Sequence, residues 1–170
     1  MPHPHHRRRT GHLRPVGRET TDCFRCGGEI AGIGGNGPDL TRRPVELRHA
    51  DIHSHDGTVL LLPEAGLMLA GDTLEDPITY VAEPDRLEIH LDSLRRMAER
   101  PVERILPDHG DPQVIAAGGY GPGFIDATSR YVGKLLACRD DAALAAATLR
   151  DWIAQDVAAG HVTWFQPYEE

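Results

Sequence analysis

The segment T-V-L-L-L-P-E-A-G-L-M-L-A, residues 58–70, constrains the fold more than any other part of this chain. Thr58 to Leu62 is a continuous β-favouring apolar run that ends at Pro63, and Leu67 to Ala70 is a second such run. The Pro-Glu-Ala-Gly between them makes a turn, so the segment predicts a β-hairpin. Upstream, Val45 to His49 alternates as V-E-L-R-H, the pattern of a half-buried strand. Downstream, Glu83-Pro84-Asp85 opens a helix with proline and acid in its first turn. Leu87, Leu91, Leu94 and Met97 give that helix one apolar stripe. Arg104-Ile105-Leu106 reads as a short strand, and amphipathic helices are expected over about 124–138 and 141–157. Strands interleaved with helices imply an α/β layered architecture.

The hairpin also places side chains. His53 lies a few residues before the first strand and Asp72 directly after the second. If the strands pair about residues 63–66, both emerge at the end opposite the turn. His109, in I-L-P-D-H-G, follows the strand at 104–106 in the same manner and joins them if that strand lies alongside. A sheet holds the backbone at strand ends while the loop side chain stays free to coordinate. An imidazole, a carboxylate and a second imidazole suit zinc or iron. Singly, a loop histidine is most often a surface residue and a Gly-Asp-Thr most often a capped turn. Three candidates at the ends of three consecutive strands make a metal site the reading to test. His55 would share a face with His53 on an extended backbone, and spacing does not choose between them. His49 reads as a half-exposed strand histidine, Asp56 as a cap before Gly57, and Asp108 as a loop acid.

The 170 residues fit one domain. Residues 1–22 are rich in Pro, His, Arg and Thr, and residues 27–38 hold six glycines. Residues 1–43 therefore read as a poorly ordered arm, followed by a domain over 44–170. The net charge is −8, and residues 1–18 hold five arginines and no acid, which leaves −13 on the remainder. Such a body repels nucleic acid, so a nucleic-acid partner is not expected. No apolar run approaches the roughly 20 residues of a membrane span, so no membrane partner is expected either. Three cysteines cannot all pair internally, which suggests a reducing cytoplasm.

Residues 44–135 resemble the C-terminal half of the metallo-β-lactamase-fold hydrolases. H-S-H-D-G-T-V, from His53, looks like that superfamily's third-histidine segment. L-M-L-A-G-D-T-L, around Asp72, looks like its strand ending in the metal-bridging aspartate, and R-I-L-P-D-H-G, ending around His109, like its last-histidine loop. The resemblance implies an αββα sandwich, present mainly as its C-terminal half. It also implies one or two Zn2+ ions, with iron an alternative. His53 would serve the first metal and His109 the second, and Asp72 would bridge both as metal ligand and catalytic residue. The activity implied is hydrolysis of a small-molecule substrate by a metal-activated water.

The superfamily's His-x-His-x-Asp-His loop has one candidate here, M-P-H-P-H-H-R-R-R-T-G-H. His3 and His5 satisfy its first half, but Arg7 and Arg8 stand where the acid and final histidine belong, and guanidinium groups cannot coordinate a cation. Weak or absent turnover is therefore expected. The competing reading is a non-catalytic, truncated or degenerate member whose exposed sheet face drives homo-oligomerisation or partner binding.

Other motifs are weaker. Cys23-Phe24-Arg25-Cys26-Gly27 has the shape of one zinc knuckle, but structural zinc needs four ligands, so these read as incidental thiols. Cys138 reads as a small core residue. Gly118 to Gly123 reads as a plain connecting loop, with Tyr120 within reach of the site mouth. Substrate identity is not readable from spacing.

Overall fold

The computed structural model describes residues 44–164 in full, together with the backbone of two strands nearer the N-terminus. Those are β1 (Arg14–Pro15) and β2 (Cys23–Cys26). They are followed by β3 (Val45–His49), β4 (Thr58–Leu62), β5 (Leu67–Gly71), α1 (Leu87–Ala98), β6 (Arg104–Pro107), α2 (Pro112–Ala116), α3 (Gly123–Ala137), α4 (Ala142–Ala146) and α5 (Leu149–Ala158). The architecture is mixed α/β. One sheet runs in the order β1-β2-β3-β4-β5-β6, antiparallel up to β5 and parallel between β5 and β6. The expected division between 43 and 44 falls in the link between β2 and β3, which pair with each other. His3 and His5 lie outside the described residues, as do the side chains of Cys23 and Cys26.

The expected hairpin is present. Pro63–Ala65 forms one turn of 3-10 helix, and Gly66 closes it in the left-handed region at φ 58°. A side chain is strained there, which is why glycine ends the turn. Leu60 then lies opposite Leu69 and Leu62 opposite Leu67. The two faces of the sheet differ. Val59, Leu61, Met68, Ala70 and Ile105 are buried in one core with Leu87, Leu94 and Met97 of α1 and with Phe124, Ile125 and Val132 of α3. On the other face Leu47, Leu60, Leu69 and Leu106 stand in register across four strands. They are half-buried. Apolar side chains on both faces explain why T-V-L-L-L does not alternate.

Two helical expectations are corrected. The stretch 141–157 is two helices, not one. Asp141 caps α4 by accepting from the Ala143 and Leu144 N–H groups. Ala147 is extended, and Thr148 and Asp151 form a capping box that starts α5. The T-L-R-D signature of that restart is legible in the sequence. The second correction is α2, which was not anticipated. Asp111 caps it and Pro112 occupies its first turn, the combination that begins a helix. Among the described residues no helix is long and apolar enough to cross a membrane.

Two polar clusters tie the loops to this frame. Asp76 is buried, and its carboxylate accepts from Tyr120 Oη at 2.7 Å, from the Thr163 N–H at 2.7 Å and from the Thr163 hydroxyl. Tyr120 Oη in turn accepts the Asp111 N–H at 2.8 Å, while the ring stacks on Phe124 with centroids 4.4 Å apart. Burial, reinforced by Asp76, raises the Tyr120 pKa well above its ordinary value. Tyr120 is thus a strut under the loops and not a residue at the site mouth. The second cluster is Asp156 of α5, buried against Arg130 of α3 and His161. Burial alone would raise its pKa, but the Arg130 and His161 hydrogen bonds outweigh that and lower it.

Tyr120→Phe removes one donor from a buried carboxylate and leaves the Asp111 N–H without its partner. It is expected to lower unfolding stability by about 1–3 kcal/mol in urea melts. Asp156→Asn is expected to destabilise at pH 7. Because the folded pKa of Asp156 is depressed, its contribution is present above the unfolded value near 3.9 and is lost as pH falls through the folded value. The stability gap between parent and variant should therefore narrow below about pH 4, as read by thermal melts across pH.

Candidate metal centre

Chain direction around β5 and β6 builds the site. The two strands run parallel, with Leu69 opposite Leu106 and, after a register shift, Gly71 opposite Pro107. Their C-terminal ends therefore lie side by side, and the residues that follow, Asp72 and His109, leave from one edge. Gly71 turns the chain there with φ 56°. Two backbone hydrogen bonds hold the departing loops together: Asp108 N–H to Gly71 O at 3.1 Å, and Asp76 N–H to His109 O at 3.2 Å.

Fixed this way, His109 Nε2 stands 3.2 Å from Asp72 Oδ1. Both side chains are about half exposed, so the pair is open to solvent. Glu75 completes the group: donor atoms of Asp72, Glu75 and His109 all lie within 4.8 Å of one another. Glu75 is held from two sides. Its N–H donates to Thr79 Oγ1 at 3.0 Å, and its Oε2 accepts the Tyr80 N–H at 2.6 Å.

His53 arrives from the opposite side of the hairpin. The loop from Ala50 to Gly57 closes through Ala50 N–H to Gly57 O at 2.8 Å, and a Cβ on Gly57 would collide with Ala50 O. Only glycine lets the loop close so tightly. Next to His53, buried Asp51 pairs with Arg86. The wholly buried His90 places Nδ1 2.7 Å from Asp51 O and Nε2 3.2 Å from Glu83 O. His53 O accepts the Ala82 N–H at 3.1 Å, and the ring rests 5.7 Å from that of Tyr80. Held there, His53 Nδ1 lies 3.9 Å from Glu75 Oε2, buried and without a hydrogen-bond partner.

The structure thus brings Asp72 and His109 together directly and links His53 to them through Glu75. His55 points elsewhere, with Nδ1 3.1 Å from Glu83 and the side chain 65% exposed, which separates it from His53 as a candidate. His49 Nε2 meets His55 O at 2.6 Å. Asp56 accepts from Ser54 Oγ at 2.8 Å, and that bond chiefly lowers its pKa. Sequence reasoning missed Glu75. No spacing rule marks it, because its placement depends on the turn from Thr73 to Tyr80.

The donor chemistry fits a divalent cation. Two carboxylates and two neutral imidazoles total −2, and oxygen with imidazole nitrogen is a donor set accepted by Zn2+, Fe2+ and Mn2+. Donors each about 2 Å from one ion stand roughly 3–4 Å apart, depending on the angle between them. The separations of 3.2 and 3.9 Å fall in that interval. The unpartnered His53 nitrogen is the kind of buried polar atom a metal would satisfy.

Residues 27–109, just under half of the chain, match the family model of the metallo-beta-lactamase superfamily. That stretch contains His53, Asp72, Glu75 and His109. No curated protein matches the sequence. Among solved structures the chain is similar to that of a metallo-beta-lactamase from Staphylococcus aureus subsp. aureus COL, at 14% identity and a TM-score of 0.38. The alignment covers 73% of this chain and 42% of that one, so the chain spans less than half the length of its neighbour. Over residues 27–109 the chain is thus similar to the metallo-beta-lactamase superfamily.

Proposed function

We propose that this chain binds a divalent metal, zinc or iron, through His53, Asp72 and His109, and that it is a metal-dependent hydrolase of low turnover acting on a small-molecule substrate. The observation that carries the reading is the convergence of Asp72 and His109 to 3.2 Å at the ends of two parallel strands. A bound ion supplies Lewis acidity and lowers the pKa of water toward 7. The protein's own residues fix the donors and leave the cluster half open, so that a substrate carbonyl or phosphoryl group can approach. Among the described residues the acids grouped with His109 are Asp72 and Glu75. The described residues offer no counterpart to the upstream aspartate that the superfamily resemblance would place beside the attacking water, and slow turnover is the consequence expected.

The competing reading, a non-catalytic module that associates with itself, draws on the half-buried row of Leu47, Leu60, Leu69 and Leu106. A metal-free dimer that sediments as a monomer after Leu69→Lys would favour it.

Mass spectrometry of the dialysed protein is expected to find stoichiometric zinc or iron. Asp72→Ala and His109→Ala should each lower metal affinity by at least about tenfold. Metal-dependent hydrolysis of a thioester, lactone or phosphodiester, abolished by chelator and by Asp72→Ala, would accompany it. Near-zero metal in the parent protein would overturn the proposal.

A further inference from the structure

Glu75 has no part in the ligand set expected from the sequence, yet it occupies the middle of the site. We propose that Glu75 is a metal donor in its own right, and that with Asp72, His109 and His53 it forms a site for one divalent ion. This rests on the metal-binding reading above and adds to it the fourth donor and the ion count.

Three observations support the assignment. First, among the described residues Glu75 connects the two parts of the site. Its carboxylate lies in the group with Asp72 and His109, whose donors are all within 4.8 Å, and its Oε2 is also 3.9 Å from His53 Nδ1. Second, Glu75 is presented and held. The Tyr80 N–H and Thr79 Oγ1 bonds fix the turn, and the side chain is only 14% exposed. A glutamate serving solubility alone would extend into water, since that side chain loses much rotamer freedom when pinned. Third, His53 Nδ1 is buried with no hydrogen-bond partner and faces this carboxylate. An ion at the cluster gives that nitrogen a partner, and without one it has none among the described residues.

Charge bears on the ion count. Asp72 and Glu75 carry −2 between them, and His53 and His109 coordinate as neutral imidazoles. One divalent ion brings the site to neutrality, whereas a second would leave +2 with no further acid among the clustered donors. Charge balance therefore favours one ion over two.

Glu75→Gln separates donation from support of the fold, because the amide carbonyl still accepts the Tyr80 N–H while the negative charge is gone. Titration of Zn2+ into metal-free protein, followed by calorimetry, is expected to show one ion per chain. Glu75→Gln should weaken binding at least about tenfold while leaving the melting temperature of the metal-free protein unchanged. With Co2+ as the probe, the visible absorption bands should shift in the variant. Parent-like affinity and spectrum in Glu75→Gln, with binding lost in Asp72→Ala and His109→Ala, would overturn the role of Glu75 and leave the metal reading standing. Two ions per chain would overturn the single-ion site. No binding by the parent chain would overturn both readings. Should Glu75→Gln fail to fold, carbodiimide labelling of the parent protein reads the same contact. Zn2+ is expected to protect Glu75 from modification, and equal labelling with and without Zn2+ would overturn the assignment.

Discussion

The parallel pairing of β5 with β6 is the constraint on which the site depends. Had β6 joined the sheet antiparallel, His109 would leave from the far edge, some 15 Å from Asp72 for a four- or five-residue strand. Parallel strands need a crossover between them, and α1 provides it, spanning residues 87–98 between β5 and β6. The apolar stripe of α1 seats that crossover on the same sheet face as Met68 and Ile105. Core packing thus decides which loops meet, and the meeting of loops decides which donors converge.

Backbone hydrogen bonds then refine the position. Asp108 and Asp76 each donate across the gap between the two loops, so neither Asp72 nor His109 relies on its own side chain for placement. Below them Asp76 gathers Tyr120 and Thr163, which joins the site loops to α3 and to the segment after α5. His53 is supported separately, through buried Asp51, Arg86 and His90. Asp72 and His109 are about half exposed, while Asp51, Asp76, Thr79 and His90, which anchor the surrounding loops, are buried. The folded protein can therefore hold charged groups near one another without a metal, because water still screens Asp72.

Much of this was legible in the sequence because it rests on local pattern. The hairpin at 58–71, the 3-10 turn at Pro84–Arg86 that leads into α1 and the strand at 104–107 all follow from apolar runs and turn residues. The three expected ligands lie at three strand ends for the same reason. Other features were not legible, each for a physical cause. Glu75 enters the site through a turn whose path is set by the Thr79 and Tyr80 contacts, and no periodicity records it. Tyr120 looked like a loop aromatic, but its place is fixed by a carboxylate 44 residues earlier. The break between α4 and α5 was written in Thr148 and Asp151, but a run of alanines around it masked the cap. Helix propensity says little about a stop when every neighbour favours helix.

Oxygen and imidazole donors at the β5 and β6 strand ends are proposed to hold a divalent ion. X-ray absorption at the zinc edge of the loaded protein tests it most directly. A first shell of nitrogen and oxygen alone, at about 2.0 Å and with outer scattering from two imidazoles, is the result expected. A shell of sulfur at about 2.3 Å would place the metal at cysteines instead and contradict the account.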